Sequence, residues 1–300
     1  MHASSRLKAF CTTLLSIGAA AGAAALAEEP AASSAAPVLY QQSMNVFRRF
    51  AAEPEKMFEF YGDVLGFERL QSFGGVHRFQ AGASELKLTG RVQGKTYHPG
   101  GVDDATGFRL VTFFFPNEAE LLARFEEHGY PVPEFRSLPG SDRKAALATD
   151  PDGQPVELVI APNAPEDTFD RIEVGLTVSN LEESRTFYRE FVGLEELAPV
   201  EDPLLNATKY PYRHGSTTVN LRHFGDDLPV DTGSGGIQYV VSNVDHVDAL
   251  AKAREIPIDQ PLTADPDAAL RTVWLDDPDG VTNYFAETTW SRGRASSASE

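Results

Sequence analysis

Four short alternating runs each hold one chemically capable side chain between apolar neighbours. In ELKLT, Leu86 and Leu88 turn one way and Lys87 the other. In PVELVI, Val156, Leu158 and Ile160 share a face and leave Glu157 opposite, and TTVNLRHF isolates Asn220 between Val219 and Leu221. TNYFAE does the same for Tyr284, although Asn283 then falls on the packed side, where it fits poorly. An ammonium, a carboxylate, an amide and a phenol on inner walls could bind an anion or move a proton. The histidines His77, His98, His128, His214, His223 and His246 are scattered, with no HxH or HExxH pair to suggest a metal site. His214, in YPYRHGS, is the one whose place near a strand end could border a cavity.

The elements that must position these groups come in duplicate. FYGDVLGFERL starts at Phe60, and FYREFVGLEEL starts 127 residues later at Phe187. DPDG at Asp150–Gly153 returns at Asp277–Gly280 with the same offset of 127. A looser pair, starting at Gly107 and Gly236, is offset by 129. Equal offsets at distant landmarks predict an internal duplication. EPEKMFEFYGDVLGF and LEESRTFYREFVGL space their apolar residues as an amphipathic helix does, and Gly66 and Gly193 stand where each helix would stop. Strand-like runs precede and follow each helix, and DPDG reads as a turn feeding the next strand rather than as a catalytic element. The chain therefore predicts an α+β fold of four strand-helix-strands units. The expected boundaries are a first domain at 42–162, a linker at 163–171, a second domain at 172–288 and a disordered tail at 289–300.

Residues 1–27 read as a secretory signal: Arg6 and Lys8, then a weakly apolar run ending in Ala25-Leu26-Ala27, with a linker over 28–41. The expected product is exported, to the periplasm or beyond, with no membrane attachment after cleavage. The single cysteine, Cys11, would leave with the signal, which excludes a disulfide framework, a thiolate metal site and a cysteine nucleophile. The chain carries 26 basic and 44 acidic residues, a net charge of −18, and loss of the two basic residues of the leader takes this to −20. Such a surface repels nucleic acid and anionic membranes.

These residues resemble the vicinal oxygen chelate superfamily, which includes glyoxalase I, bleomycin-resistance proteins and extradiol dioxygenases. The resemblance rests on a strand followed by FYGDVLGFERL or FYREFVGLEEL and on the closing DPDGQPVELV or DPDGVTNYFA. It implies paired βαβββ units wrapping curved sheets around a cavity, two glyoxalase-like domains in all. It also implies four inward positions that commonly hold a divalent metal through His or Gln, Glu, His and Glu. Carried over, the first copy offers Asn45 (or Met44), Lys87, Arg109 and Glu157. The second offers Glu173, Asn220, Gln238 and Tyr284. Both sets depart from the pattern, because cations repel a divalent ion and neither set contains an imidazole. No cofactor is expected. The alternative is a divalent metal (Fe, Mn, Zn or Mg), for which Glu173 and Gln238 would be the ligands at hand.

Three readings follow. The first is a small-molecule-binding protein of this fold, its ligand bearing a carboxylate or carbonyl. It would be held by Asn45, Lys87, Arg109, Glu157, Asn220, Gln238 and His214, with Glu173 as general base and Tyr284 as phenolic partner if chemistry occurs. The second is a divalent-metal lyase, isomerase or ring-cleaving dioxygenase. The third is a non-catalytic duplicate that serves as a structural or partner-binding surface. A homodimer is compatible with each. A plain salt bridge from Glu157 to Lys87 or Arg109 is the inert alternative for the first copy.

Overall fold

The computed structural model describes residues 35–265 and 269–294. The expected signal and the outer part of the tail lie outside the described residues. Four units succeed one another. The first contains β1 (Asn45–Phe50), β2 (Glu68–Phe73), β3 (Val76–Ala81) and β4 (Ser84–Gly90). The second contains β5 (Gly107–Phe115), β6 (Arg136–Ser137), β7 (Lys144–Thr149) and β8 (Pro155–Ile160). The third holds β9 (Ile172–Thr177), β10 (Glu195–Glu196), β11 (Val200–Asp202), β12 (Ala207–His214) and β13 (Thr217–Arg222). The fourth holds β14 (Gly235–Val240), β15 (Ile258–Asp265), β16 (Leu270–Asp276) and β17 (Thr282–Thr288).

A helix follows the first strand of every unit. Those of the second and fourth units, Glu118–Glu127 and Val244–Ala253, are capped by the side chains of Asn117 and Asn243. In the first and third units a short helix (Pro54–Phe58, Leu181–Thr186) widens into a π-helical turn formed by the repeated motif (Glu59–Val64, Phe187–Val192). Gly66 and Gly193 end these segments with φ of 82° and 85°, as a helix stop requires. No helix among the described residues is long and apolar enough to cross a membrane.

The two repeated motifs meet. Tyr61 of the first FY motif donates to Asp150 of the first DPDG turn at 2.9 Å, and Tyr188 donates to Asp277 of the second at 2.7 Å. Each Asp also accepts backbone N–H groups of its own turn, Asp152 and Gln154 in one copy and Asp279 and Val281 in the other. DPDG is thus the anchor that fixes each helical turn against the sheet.

The strands do not form one sheet per copy. The first sheet runs β15-β16-β17-β14-β1-β4-β3-β2, and the second runs β10-β12-β13-β9-β5-β8-β7-β6. Antiparallel pairing of β1 with β14 joins the first unit to the fourth, and pairing of β5 with β9 joins the second to the third. The α+β fold with two curved sheets is as the sequence predicts. The grouping of inward residues copy by copy is corrected, because each sheet's inner wall draws on both copies. The outward faces pack as read: Leu86, Leu88, Val156, Leu158, Val219 and Leu221 are all buried in the core. Asn283 is buried there too, and satisfied, accepting from Tyr239 at 3.0 Å and donating to the Val281 carbonyl at 2.9 Å.

Two hairpin turns lock the halves reciprocally. Ala83 N–H donates to the Asp170 carbonyl and Ser216 N–H to the Gln42 carbonyl, each at 3.0 Å. Beside them, a Cβ on Gly82 would lie 2.5 Å from the Asp170 backbone, and one on Gly215 would lie 1.8 Å from the Gln42 oxygen. Each copy therefore presses a glycine turn onto the segment that leads into the other copy's first strand.

Candidate binding site

The inner face of the first sheet bounds a cavity of about 580 Å³. Alternation along β1 turns Asn45, Phe47 and Arg49 into it, and β4, β14 and β17 add Lys87, Gln238 and Tyr284. Asn45 sits opposite Gln238 across the β1–β14 pairing and donates to its Oε1 at 3.1 Å. Lys87 Nζ donates to the same oxygen at 2.5 Å and lies 5.3 Å from the Phe47 ring centre. Asn45 Oδ1 accepts from Glu85 N–H at 2.9 Å, so its orientation is fixed from both ends. Tyr284 stacks on Phe47 with ring centres 4.4 Å apart and meets the edge of Trp274 at 4.9 Å.

Charge distinguishes this wall from the rest of the molecule. Glu85 lies 3.5 Å from Lys87 but is already engaged by Arg78 through two nitrogens. Burial pushes Glu85 up, yet Arg78 and Lys87 together hold it below the usual carboxylate value. Burial lowers the Lys87 amine, with Glu85 opposing. Arg49 is 1 % exposed, and among the described residues its guanidinium hydrogen-bonds only to the Tyr284 hydroxyl, to which Nη2 donates. Its Nε and Nη1 have no hydrogen-bond partner, and no carboxylate pairs with it among the described residues. Burial raises the Tyr284 phenol, with Arg49 opposing.

The second sheet is built differently. Thr112 stands in register between Glu157 on β8 and Glu173 on β9, and donates to Glu157 at 2.6 Å. Asn220 donates to Glu173 at 2.6 Å, and Lys209 lies 3.5 Å from the same carboxylate. Burial raises Glu157; the Thr112 bond opposes this and the Glu173 charge adds to it. Further along, the buried pair Arg222–Asp202 (2.7 Å) fills the inner wall. Gly175 makes the room, because a Cβ there would lie 2.9 Å from Arg222 Nη1. Glu173 and Asn220 line a separate cavity of about 690 Å³.

Several expected placements are therefore corrected. Arg109 enters neither cavity: it is buried against Asp231 at 2.7 Å and donates to the carbonyls of Gly101 and His98. An irregularity in the β5–β9 pairing between Phe108 and Leu110 shifts the strand, so Thr112 takes the inward position expected of Arg109. Glu157 pairs with neither Lys87 nor Arg109, since Lys87 belongs to the first sheet and Arg109, though in the same sheet as Glu157, turns to Asp231. Glu173 and Tyr284 line different cavities and cannot act as an acid–base couple on one ligand. His214 holds the Gln41 carbonyl through Nε2 at 2.5 Å, and burial lowers its pKa. Arg49 and Phe47, which the reading missed, share the alternation that exposes Asn45 in NVFRRF.

The same geometry tests a metal. In the first cavity the Gln238 oxygen is already used by two donors, one of them an ammonium, so this set does not fit a cation. Glu173 and Gln238, the fallback ligand pair, lie in different sheets and cannot share one ion. In the second sheet Glu157, Glu173 and Asn220, whose buried Oδ1 lacks a partner, match a hard oxygen-seeking cation in donor type. Bound there, such an ion would polarise a ligand oxygen.

Paired units whose first strands join two curved sheets, each lined by side chains at four equivalent inward positions, define a glyoxalase-like architecture. The family model of the Glyoxalase/Bleomycin resistance protein/Dioxygenase superfamily matches residues 43–158 and 168–285, and the chain belongs to that superfamily. Among solved structures it is similar to glyoxalase I from Zea mays, at 18% identity and a TM-score of 0.58 over 82% of this chain and 92% of that one. A single-substitution variant of the Zea mays enzyme gives 18% identity and a TM-score of 0.60, over 82% and 94%. A Bacillus subtilis protein provisionally described as a dioxygenase gives 14% identity and 0.58, over 85% and 87%. These likenesses concern the fold. No functionally curated protein matches the sequence.

Proposed function

We propose that the protein is an exported binder of a small organic anion, held without a metal in the cavity of the first sheet. One observation carries the reading: Arg49, a buried guanidinium with no carboxylate partner among the described residues, lines a cavity in a chain of net charge −18. A buried cation without a counter-ion is costly, and a carboxylate from a ligand is the natural complement to a guanidinium. Phe47, Tyr284 and Trp274 offer flat apolar surface beside it, which favours a planar organic acid over an inorganic ion. Acid–base chemistry, where it accompanies binding, falls to Lys87 and Tyr284, which share this cavity with Glu85 and Asp265.

Thermal unfolding with a panel of small carboxylic acids tests the reading. Ligand bound only by the folded state raises the melting temperature by mass action. Benzoate or mandelate is expected to stabilise the wild type, and Arg49→Met to weaken that binding at least ~10-fold, about 1.4 kcal/mol. No stabilisation by any carboxylate, or undiminished binding by Arg49→Met, refutes it.

A further inference from the structure

Resting on that anion-binding reading, we infer that Lys87 condenses reversibly with the carbonyl group of a small carbonyl acid to form an imine. Its nitrogen is placed for this. The side chain reaches into the cavity while remaining 9 % exposed, and its Nζ hangs over the Phe47 ring rather than in water. The charged or titratable groups that share its cavity are Glu85, Arg78, Arg49, Tyr284 and the exposed Asp265. Among the described residues Glu85 is the carboxylate that pairs with Lys87, and it is shared with Arg78, so the ammonium is only partly compensated. Burial in such surroundings favours the neutral amine, the form that attacks carbonyls.

The step balances without an added reagent. The amine lone pair attacks the carbonyl carbon, the carbonyl π electrons move to oxygen, and one of the two amine protons passes to that oxygen. The nitrogen lone pair then forms the C=N bond as the hydroxyl takes up a solvent proton and leaves as water; the proton left on nitrogen makes the product an iminium, or returns to solvent to give the neutral imine. Gln238 Oε1, which now accepts from Nζ, can accept the iminium N–H afterwards, and Asn45 keeps that amide in place. Arg49, donating to the Tyr284 hydroxyl from behind, supplies the charge that draws the carboxylate of the same molecule to that hydroxyl. Because Arg49 lies two residues along β1 from Phe47, which pairs with Lys87, both anchors reach one small ligand. The ligand class is therefore an acid that also carries an aldehyde or ketone.

The test uses the full chain with phenylglyoxylate and 4-formylbenzoate as carbonyl acids, and mandelate and benzoate as their carbonyl-free counterparts. Sodium cyanoborohydride would fix any imine as a secondary amine, located by peptide mass mapping. The expected result is one adduct, on Lys87, at least ~10-fold above that on the exposed Lys56 and Lys252, and suppressed by excess benzoate. Lys87→Met should abolish it while leaving benzoate binding measurable, and Lys87→Arg should retain benzoate binding more fully, without an adduct. If carbonyl-free acids bind but no adduct forms, or label falls only on exposed lysines, the imine is refuted and the anion site stands. If none of the four acids binds, the anion-binding reading fails, and the imine with it.

Discussion

At Arg49 the proposed anion binding and the stability of the fold pull in opposite directions. Its guanidinium is buried with two unpartnered nitrogens, and the third donates to a phenol, its one hydrogen bond among the described residues. Replacing an uncompensated buried charge by an apolar chain of similar length commonly stabilises a protein. Arg49→Met should therefore raise unfolding free energy by roughly 1 kcal/mol or more in the absence of ligand, measured by urea denaturation, while the same variant loses its carboxylate. A destabilised Arg49→Met protein would mean that Arg49 has a structural partner. Part of the site could be read in advance. Strict alternation turned Lys87, Glu157, Asn220 and Tyr284 inward, and all four are there. Arg49 was legible by the same rule, two steps beyond Asn45 along NVFRRF, but it lies outside the four positions that the family resemblance singles out. Arg109 was illegible, because an irregularity in strand pairing leaves no local mark in GFRLVTFFF.

The DPDG turns look identical as elements, yet their electrostatics differ. Arg48, reaching back from β1, pairs with Asp150 at 3.2 Å, both side chains fully buried. The third unit carries Leu176 at the matching place on β9, and no cation pairs with Asp277 among the described residues. Burial pushes the Asp277 carboxyl up to about 7; the Tyr188 hydrogen bond opposes this and Asp279 adds to it. The folded value lies above the ordinary 3.8, so the native state holds the proton more tightly than the unfolded chain does. Stability from this group is present below pH ~4 and is lost as pH rises through about 7. Asp277→Asn should flatten the stability profile between pH 4 and 8. Asp150→Asn should instead lower stability by ~3 kcal/mol or more, because it leaves Arg48 buried and unpaired. Equal behaviour of the two variants in unfolding titrations would refute the distinction. The helices, the glycine stops and the turns were readable because each has a local signature. The π-helical widening of the FY motif was not, since its spacing mimics an ordinary amphipathic turn.

Across the whole molecule, duplication was visible from the 127-residue offsets, but the exchange of partners between copies was not. Which first strand pairs with which is decided by packing over hundreds of residues, and no offset encodes it. The reciprocal glycine turns hold that arrangement. At Gly215 φ is +55°, and a Cβ would lie 1.8 Å from the Gln42 carbonyl oxygen, which is backbone and cannot swing aside. Gly215→Ala should cost on the order of 2 kcal/mol or more, by thermal or urea unfolding, and should weaken ligand binding by moving the lead-in to β1. An unfolding midpoint unchanged from wild type would show that this turn yields freely.

Joining the first unit to the last has a topological corollary. The cavity wall is closed by residues that synthesis separates by about two thirds of the chain: Asn45 emerges early, and its neighbour Gln238 193 positions later. A nascent half has every inward side chain of its own copy and still no pocket, so a ligand can recognise only the finished polypeptide. Should the connection between the copies be severed after assembly, the wall would persist, sewn by the β1–β14 seam rather than by covalent continuity.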